Sequence, residues 1–197
     1  LSAGGFIEST FRRCSEDQDH PPHWTNTTDT CVRLENYQLS WGGHSGELVP
    51  TGTPNVWVTA SDEKLRVELQ SFSVTGPYWK ITTGDGTQWF FGRQRLPGWS
   101  AGARETHSVL SEQVWSNHDG EPCLNTGSFA SSRCLLPYRW YLDYVVDANG
   151  NSLSYWYDAF TNLHGSGGSG WNQLTYWRDG VLSRIEYGTR AGNETTA

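Results

Sequence analysis

Gly43-His44-Ser45-Gly46 sets a serine beside a histidine between two glycines, the composition of a hydrolase nucleophile elbow. That elbow requires Gly-x-Ser-x-Gly at a strand-to-helix turn, and Glu47 stands where the last glycine belongs. No helical pattern follows, and no Asp and His partners stand out downstream. A tight turn, with His44 hydrogen-bonding across it, is the better account. His20-Pro21-Pro22-His23, close to Asp17 and Asp19, offers metal-ligating side chains. The two prolines prevent the histidines from sharing a helix face, so a solvated loop explains the cluster. Asp147-Ala148-Asn149-Gly150-Asn151 begins like a calcium loop but lacks the sixth-position Gly and the distal Glu. Glu63, Glu68, Asp85, Glu105 and Glu112 are of the type that glycosidases pair across a sugar, yet no pair is assignable to the separation this chemistry needs. Generic surface charge accounts for them, and Asp85 belongs to a turn. The reading therefore assigns no catalytic residue, no metal site and no cofactor.

The aromatics carry the remaining functional signal. Eleven Trp are present, and four of them, Trp24, Trp41, Trp99 and Trp115, fall on irregular segments beside Gly, Pro, Asn or His. A flat exposed ring with amide neighbours grips a pyranose, apolar face on ring. The same ring can seal one segment of a larger assembly against the next, and large apolar surfaces usually mark contact sites. Sealing is the favoured reading.

Three stretches that would hold these residues repeat one device, an aromatic strand, an Asp-Gly or Asn-Gly turn and a second aromatic strand. They cover residues 78–92, 139–157 and 174–188, with turns expected at Asp85-Gly86, Asn149-Gly150 and Asp179-Gly180. Glycine reaches positive φ without steric cost, which suits hairpin turns. β-branched and aromatic residues on either side are strand formers. Further short strands are expected at 37–41, 47–49, 56–59 and 65–72. In the last, Leu65, Val67 and Leu69 alternate with Arg66, Glu68 and Gln70, as in a half-buried strand. No amphipathic helix is legible. The expected fold is all-β: antiparallel aromatic hairpins forming a twisted sheet or partial barrel, with two disulfide-tied loops.

The expected organisation is an irregular, disulfide-tied lead-in over 1–35, a single β domain over 36–190, and a flexible tail over 191–197. A long connection over 93–137 reads as a folded excursion, because it exceeds any bare hairpin turn. Gly165-Ser166-Gly167-Gly168-Ser169-Gly170 has the composition of a flexible connector, whether a natural glycine loop or an introduced shortcut.

Composition excludes several function classes. A net charge of −7, with no basic cluster longer than Arg12-Arg13, leaves no footprint for nucleic acid. No run of about 18 apolar residues is present to span a membrane as a helix. The cysteines fall into local pairs, Cys14 with Cys31 and Cys123 with Cys134, each closing a polar loop. Zinc sites use C-x-x-C spacing, which is absent, so two disulfides are expected. Disulfides belong to oxidising compartments, which makes this an exported, secreted protein. Leu1 and the lack of Met read as those of a processed or excised piece.

The run Trp140-Tyr141-Leu142-Asp143-Tyr144-Val145-Val146-Asp147-Ala148-Asn149-Gly150-Asn151, followed by Tyr155-Trp156-Tyr157, resembles the start of the Rhs (YD-repeat) region in actinobacterial secreted proteins. Gly43-His44-Ser45-Gly46-Glu47-Leu48, Asp85-Gly86-Thr87-Gln88-Trp89-Phe90-Phe91-Gly92, Arg95-Leu96-Pro97-Gly98-Trp99 and Gly120-Glu121-Pro122-Cys123 are similar to the same region, in the same order. Such proteins, related to toxin-complex shells and teneurins, wind YD-repeat strands into a hollow β-shell, which in bacterial members encloses a toxin. The resemblance implies an N-terminal shell segment rather than the toxin. The chain is too short to close a cocoon and lacks the Asp-Pro-x-Gly self-cleavage motif, so no autoprotease role carries over.

Three functions follow as expectations. The first is a non-catalytic segment of a secreted β-shell, paired with further shell strands or with itself through open sheet edges. The second is a secreted carbohydrate-binding module that uses exposed Trp, and the third, weaker, is a hydrolase.

Overall fold

The computed structural model describes residues 4–17, 27–61, 65–72, 75–166 and 169–194. Strand accounts for 55% and helix for 4%; among the described residues the helix is two short 3-10 turns, Cys14–Glu16 and Phe129–Ser131. The strands, in chain order, are β1 (Phe6–Ser9), β2 (Arg12–Arg13), β3 (Thr30–Cys31), β4 (Tyr37–Trp41), β5 (His44–Pro50), β6 (Val56–Thr59), β7 (Arg66–Phe72), β8 (Gly76–Thr82), β9 (Gln88–Phe91), β10 (Val109–Trp115), β11 (Arg133–Val146), β12 (Asn151–Ser166) and β13 (Ser169–Arg190).

Eight of them, in the order β1-β4-β5-β6-β7-β8-β9-β11, form a closed antiparallel barrel. The expected partial barrel is thus fully closed. Closure depends on β11, whose 14 residues pair with β10 and β1 at one end and with β9 and β12 at the other. β1 comes from the expected irregular lead-in, and its Phe6, Ile7 and Glu8 pair with Tyr141, Trp140 and Arg139. Closing a sheet removes the edges that would otherwise template aggregation.

The barrel interior draws a side chain from every one of the eight strands: Ile7, Leu39, Leu48, Trp57, Val67, Trp79, Phe91 and Trp140 are all buried in one cluster. The next residue along several strands points the other way. Tyr78, Phe90, Tyr144 and Trp156 pack with Leu96 in a second cluster on the outside of β8, β9, β11 and β12. Strand alternation therefore buries both faces there, which accounts for adjacent aromatics such as Tyr78-Trp79 and Phe90-Phe91.

Two of the three expected turns form. Gly86 (φ 85) and Gly150 (φ 80) donate back to the carbonyls of Thr83 and Asp147. Asp85 and Asn149 themselves keep negative φ. Asp85 caps its turn by accepting from the Thr83 and Thr87 hydroxyls and the Thr87 amide, and Asp147 does the same for the Asn149 and Asn151 amides. Those hydrogen bonds hold both carboxyls below the ordinary range.

The third turn is a correction. Asp179 and Gly180 lie inside β13, opposite Phe160 and Ala159. β12 and β13 instead pair antiparallel along their whole length, as far as Ser166 opposite Ser169, making one long hairpin. Gly180 has no positive φ; a Cβ there would meet the Tyr141 ring at 2.9 Å. Its glycine serves a close approach of backbone to ring, not a reversal.

Both disulfides form as expected, Cys14–Cys31 and Cys123–Cys134. No helix of the described residues is long and apolar enough to cross a membrane.

Candidate functional site

The β12–β13 hairpin leaves the barrel as an arm and folds back across its outside. Tyr138 Oη donates to the Trp177 carbonyl (2.8 Å), and Gly180 lies on the Tyr141 ring. Burial pushes the Tyr138 phenol up to about 12. Between the arm and the 93–109 segment runs a groove of two lobes. One, of about 270 Å³, is lined by Arg104, His107, Tyr157, Asp158, Ala159 and Trp177. The other, of about 290 Å³, shares His107, Ala159 and Trp177 and adds Gln94, Glu105 and Ser111 among its walls.

The groove walls are held by a buried carboxylate. Asp143 is fully buried at a β-bulge, where β11 steps past β9 between Leu142 and Tyr144. A bulge leaves its extra residue outside the ladder and re-aims the side chain. Asp143 Oδ2 accepts from the Gln94 amide (2.8 Å), Thr106 Oγ1 (2.8 Å) and Ser108 Oγ (2.6 Å). Gln94 (φ 62) and His107 (φ 53) both occupy the left-handed region, unusual for residues with a Cβ. Such conformations cost roughly 1–3 kcal/mol each and persist only where neighbours over-determine them. Here Thr106 donates its amide to the Gln94 carbonyl, and Tyr157 donates its amide to Thr106. Burial raises the Asp143 carboxyl, opposed by the Ser108, Gln94 and Thr106 hydrogen bonds. Burial likewise drives the Tyr157 phenol upward, and its Oη donates to the Leu142 carbonyl.

Ser108 bonds Asp143 directly, with no imidazole between them, so no nucleophile-base relay forms there. At the mouth, Arg104 faces Asp158 (3.4 Å) and Arg95 pairs with Glu105 (2.7 Å). The cations of the groove are therefore matched by acids.

The four Trp singled out by sequence do not form one array. Trp24 lies outside the described residues, as do His20, His23, Asp19 and Glu63. Trp115 is buried against Cys14, Cys31 and Phe129. Trp41 packs on the barrel core, 4.8 Å from Trp89, with His44 stacked against it. Trp99 is half-buried: the Arg95 guanidinium covers its ring at 3.8 Å, and its indole N–H donates to the Ala103 carbonyl. Ser45 follows a Gly42-Gly43 turn and continues along β5, opposite Ser40, with no helix after it. Glu68 pairs with Lys80 (2.8 Å) and Arg66, and Glu112 accepts from Thr30. Among the described residues no group of His, Cys, Asp and Glu is arranged to hold a metal.

A second polar cluster ties the lead-in to the excursion. Buried Asp17 meets Arg12 (2.9 Å), His118 Nε2 (2.6 Å) and Asn117 Nδ2 (3.1 Å). Burial alone would raise its carboxyl, but His118, Arg12 and Asn117 outweigh it and hold it below the usual value.

Sequence reasoning singled out none of Gln94, His107, Asp143 and Trp177 as site residues. One signal was present, a lone carboxylate at 143 inside the apolar run Trp140–Val146. No protein-family model matches this chain, and neither does any curated protein or solved structure.

Proposed function

We infer that this chain is a secreted, non-catalytic scaffold, a segment of an Rhs-type β-shell that encloses or delivers a toxin. It acts by contact: a closed, aromatic-filled barrel holds out a β-arm for further strands. The observation that carries this reading is the arm itself. Among the described residues β13 pairs only with β12, so its outer edge has no ladder partner. The arm also exposes Phe160, Leu163, Val181, Ile185 and Tyr187, the last at 83%. On β13, Leu182 packs towards the core and Arg184 covers Trp156 on the other side. Across the register shift between Trp156 and Tyr157, Val181 stands opposite Asp158 on the Arg184 face. Ile185 and Tyr187 stand opposite Tyr155 and Leu153 on the Leu182 face, so both faces of the arm expose apolar side chains. An unpaired edge beside exposed apolar side chains is the arrangement that recruits another strand. The resemblance to YD-repeat shells supplies the context, and the two disulfides fit an oxidising compartment.

Sedimentation velocity over a concentration series tests the contact role. The chain is expected to associate reversibly, and Val181→Lys with Ile185→Lys is expected to abolish association without changing the melting temperature. A chain that stays monomeric up to about 100 μM, a limit that excludes all but very weak pairing, overturns it.

A further inference from the structure

The groove between the arm and the 93–109 segment is independent of the free β13 edge. We propose that it is a binding site for a short, unbranched oligosaccharide of neutral pyranoses, with Trp177 as its stacking platform.

Size comes first. The two lobes, about 270 and 290 Å³, share His107, Ala159 and Trp177 and so form one continuous trough. Each lobe alone lies near the lower limit of ligand pockets, which run from roughly 300 Å³ upward. Together they offer adjoining places for consecutive rings of one chain, not a single deep pocket.

The walls have the chemistry a sugar demands. Trp177 borders both lobes, is half-buried, and among the described residues makes no ring stack and no indole N–H hydrogen bond. Most other Trp of the barrel are in aromatic contacts or are covered by Arg. Around Trp177 stand polar side chains matched to hydroxyls: the Gln94 side chain, whose Nε2 also donates to the Thr75 carbonyl, the His107 imidazole, the Ser111 hydroxyl and the Glu105 carboxylate. A hydroxyl both donates and accepts, so a mixed wall suits it better than a wall of one sign.

Charge narrows the class. Arg104 is engaged by Asp158 and Arg95 by Glu105, so no unmatched cation awaits a phosphate, sulfate or uronate. Neutral sugars are what remains.

The site is also preorganised. Gln94 and His107 are fixed in left-handed conformations by the buried Asp143 network, and ordering costs met before the ligand arrives are not charged against affinity. Asp143 does not line the groove; it positions the residues that do.

Titration calorimetry with cellohexaose, maltohexaose and chitohexaose, each at up to about 10 mM, tests the proposal. One of the three is expected to bind one-to-one, with affinity reduced at least tenfold by Trp177→Ala and weakened by His107→Ala. Trp99→Ala, outside the groove, leaves it unchanged. Because Trp177→Ala also removes a half-buried ring, amide shifts of the unaltered protein provide a second reading: they must cluster at His107, Ala159 and Trp177. Failure of all three probes to bind overturns the proposal. So does binding that ignores Trp177, or shifts that map elsewhere. Association through the β13 edge is measured without sugar, so the two readings fail separately.

Discussion

Replacing Asp143 by alanine removes the acceptor at the centre of the groove's support. Three groups donate to Oδ2: the Gln94 amide, Thr106 Oγ1 and Ser108 Oγ. Thr106 Oγ1 also lies 3.0 Å from Ser108 Oγ, so one hydroxyl can satisfy the other once the carboxylate is gone. Two buried donors are then stranded, at roughly 1–3 kcal/mol each. Relief from holding a carboxylate in a dry site returns part of that, since burying such a group costs several kcal/mol. The expected net loss is about 3 kcal/mol, which at a urea slope near 2 kcal/mol/M lowers the unfolding midpoint by about 1.5 M. Asp143→Asn keeps an acceptor in place and is expected to stay within about 1 kcal/mol of the unaltered protein, because the pairing survives without the charge. The pH dependence adds a sign. The folded carboxyl is raised above 3.8, so its contribution is complete at low pH and is lost as pH rises through the folded value. The asparagine variant lacks that loss, and its stability relative to the unaltered protein must improve with rising pH. An alanine variant as stable as the parent at pH 7, or an asparagine variant that loses as much as alanine, refutes the reasoning.

Opening the Cys14–Cys31 bridge by paired Ser substitution releases a 17-residue separation and should cost about 3 kcal/mol in urea unfolding. Trp115→Ala empties the contact with that bridge and should cost about 3–5 kcal/mol, as buried aromatic truncations do. Trp99→Ala loses a surface Arg–ring contact and should cost only about 1 kcal/mol by the same measurement. Asp17→Asn removes a carboxyl depressed below 3.8, so its deficit should be full above that pH and should close on acidification through the lower folded value; a pH series of melting temperatures reads this directly.

Local signals and long-range ones fared differently. β4 and β6 fall at the expected positions, and the 78–92 hairpin turns at Gly86, because alternation and turn chemistry are encoded within a few residues. β1 and β10 escaped notice: four residues of one, and seven of the other inside the long 93–137 connection, become strands only when β11 pairs with them. Asp179-Gly180 carries the same dipeptide as Asp85-Gly86, yet the Tyr141 ring against Gly180 is a contact between residues some 40 positions apart. No dipeptide rule separates those two uses of glycine. The candidate site was hidden for the same reason, since Gln94, Asp143 and Trp177 meet only after the barrel closes and the arm folds back. Trp115 was visible as an aromatic on an irregular stretch, but its burial against a disulfide depends on β3 pairing in parallel with β10.

Hydrogen exchange along β13 as a function of protein concentration tests the contact role most directly. In the dilute chain, outward-facing amides of β13 are expected to exchange rapidly while those bonded to β12 are protected. As concentration rises, protection should spread to the outward set around Val181–Tyr187 and to few other sites. Outward amides that are already protected in the dilute monomer, or that remain fast while the chain associates elsewhere, contradict the account.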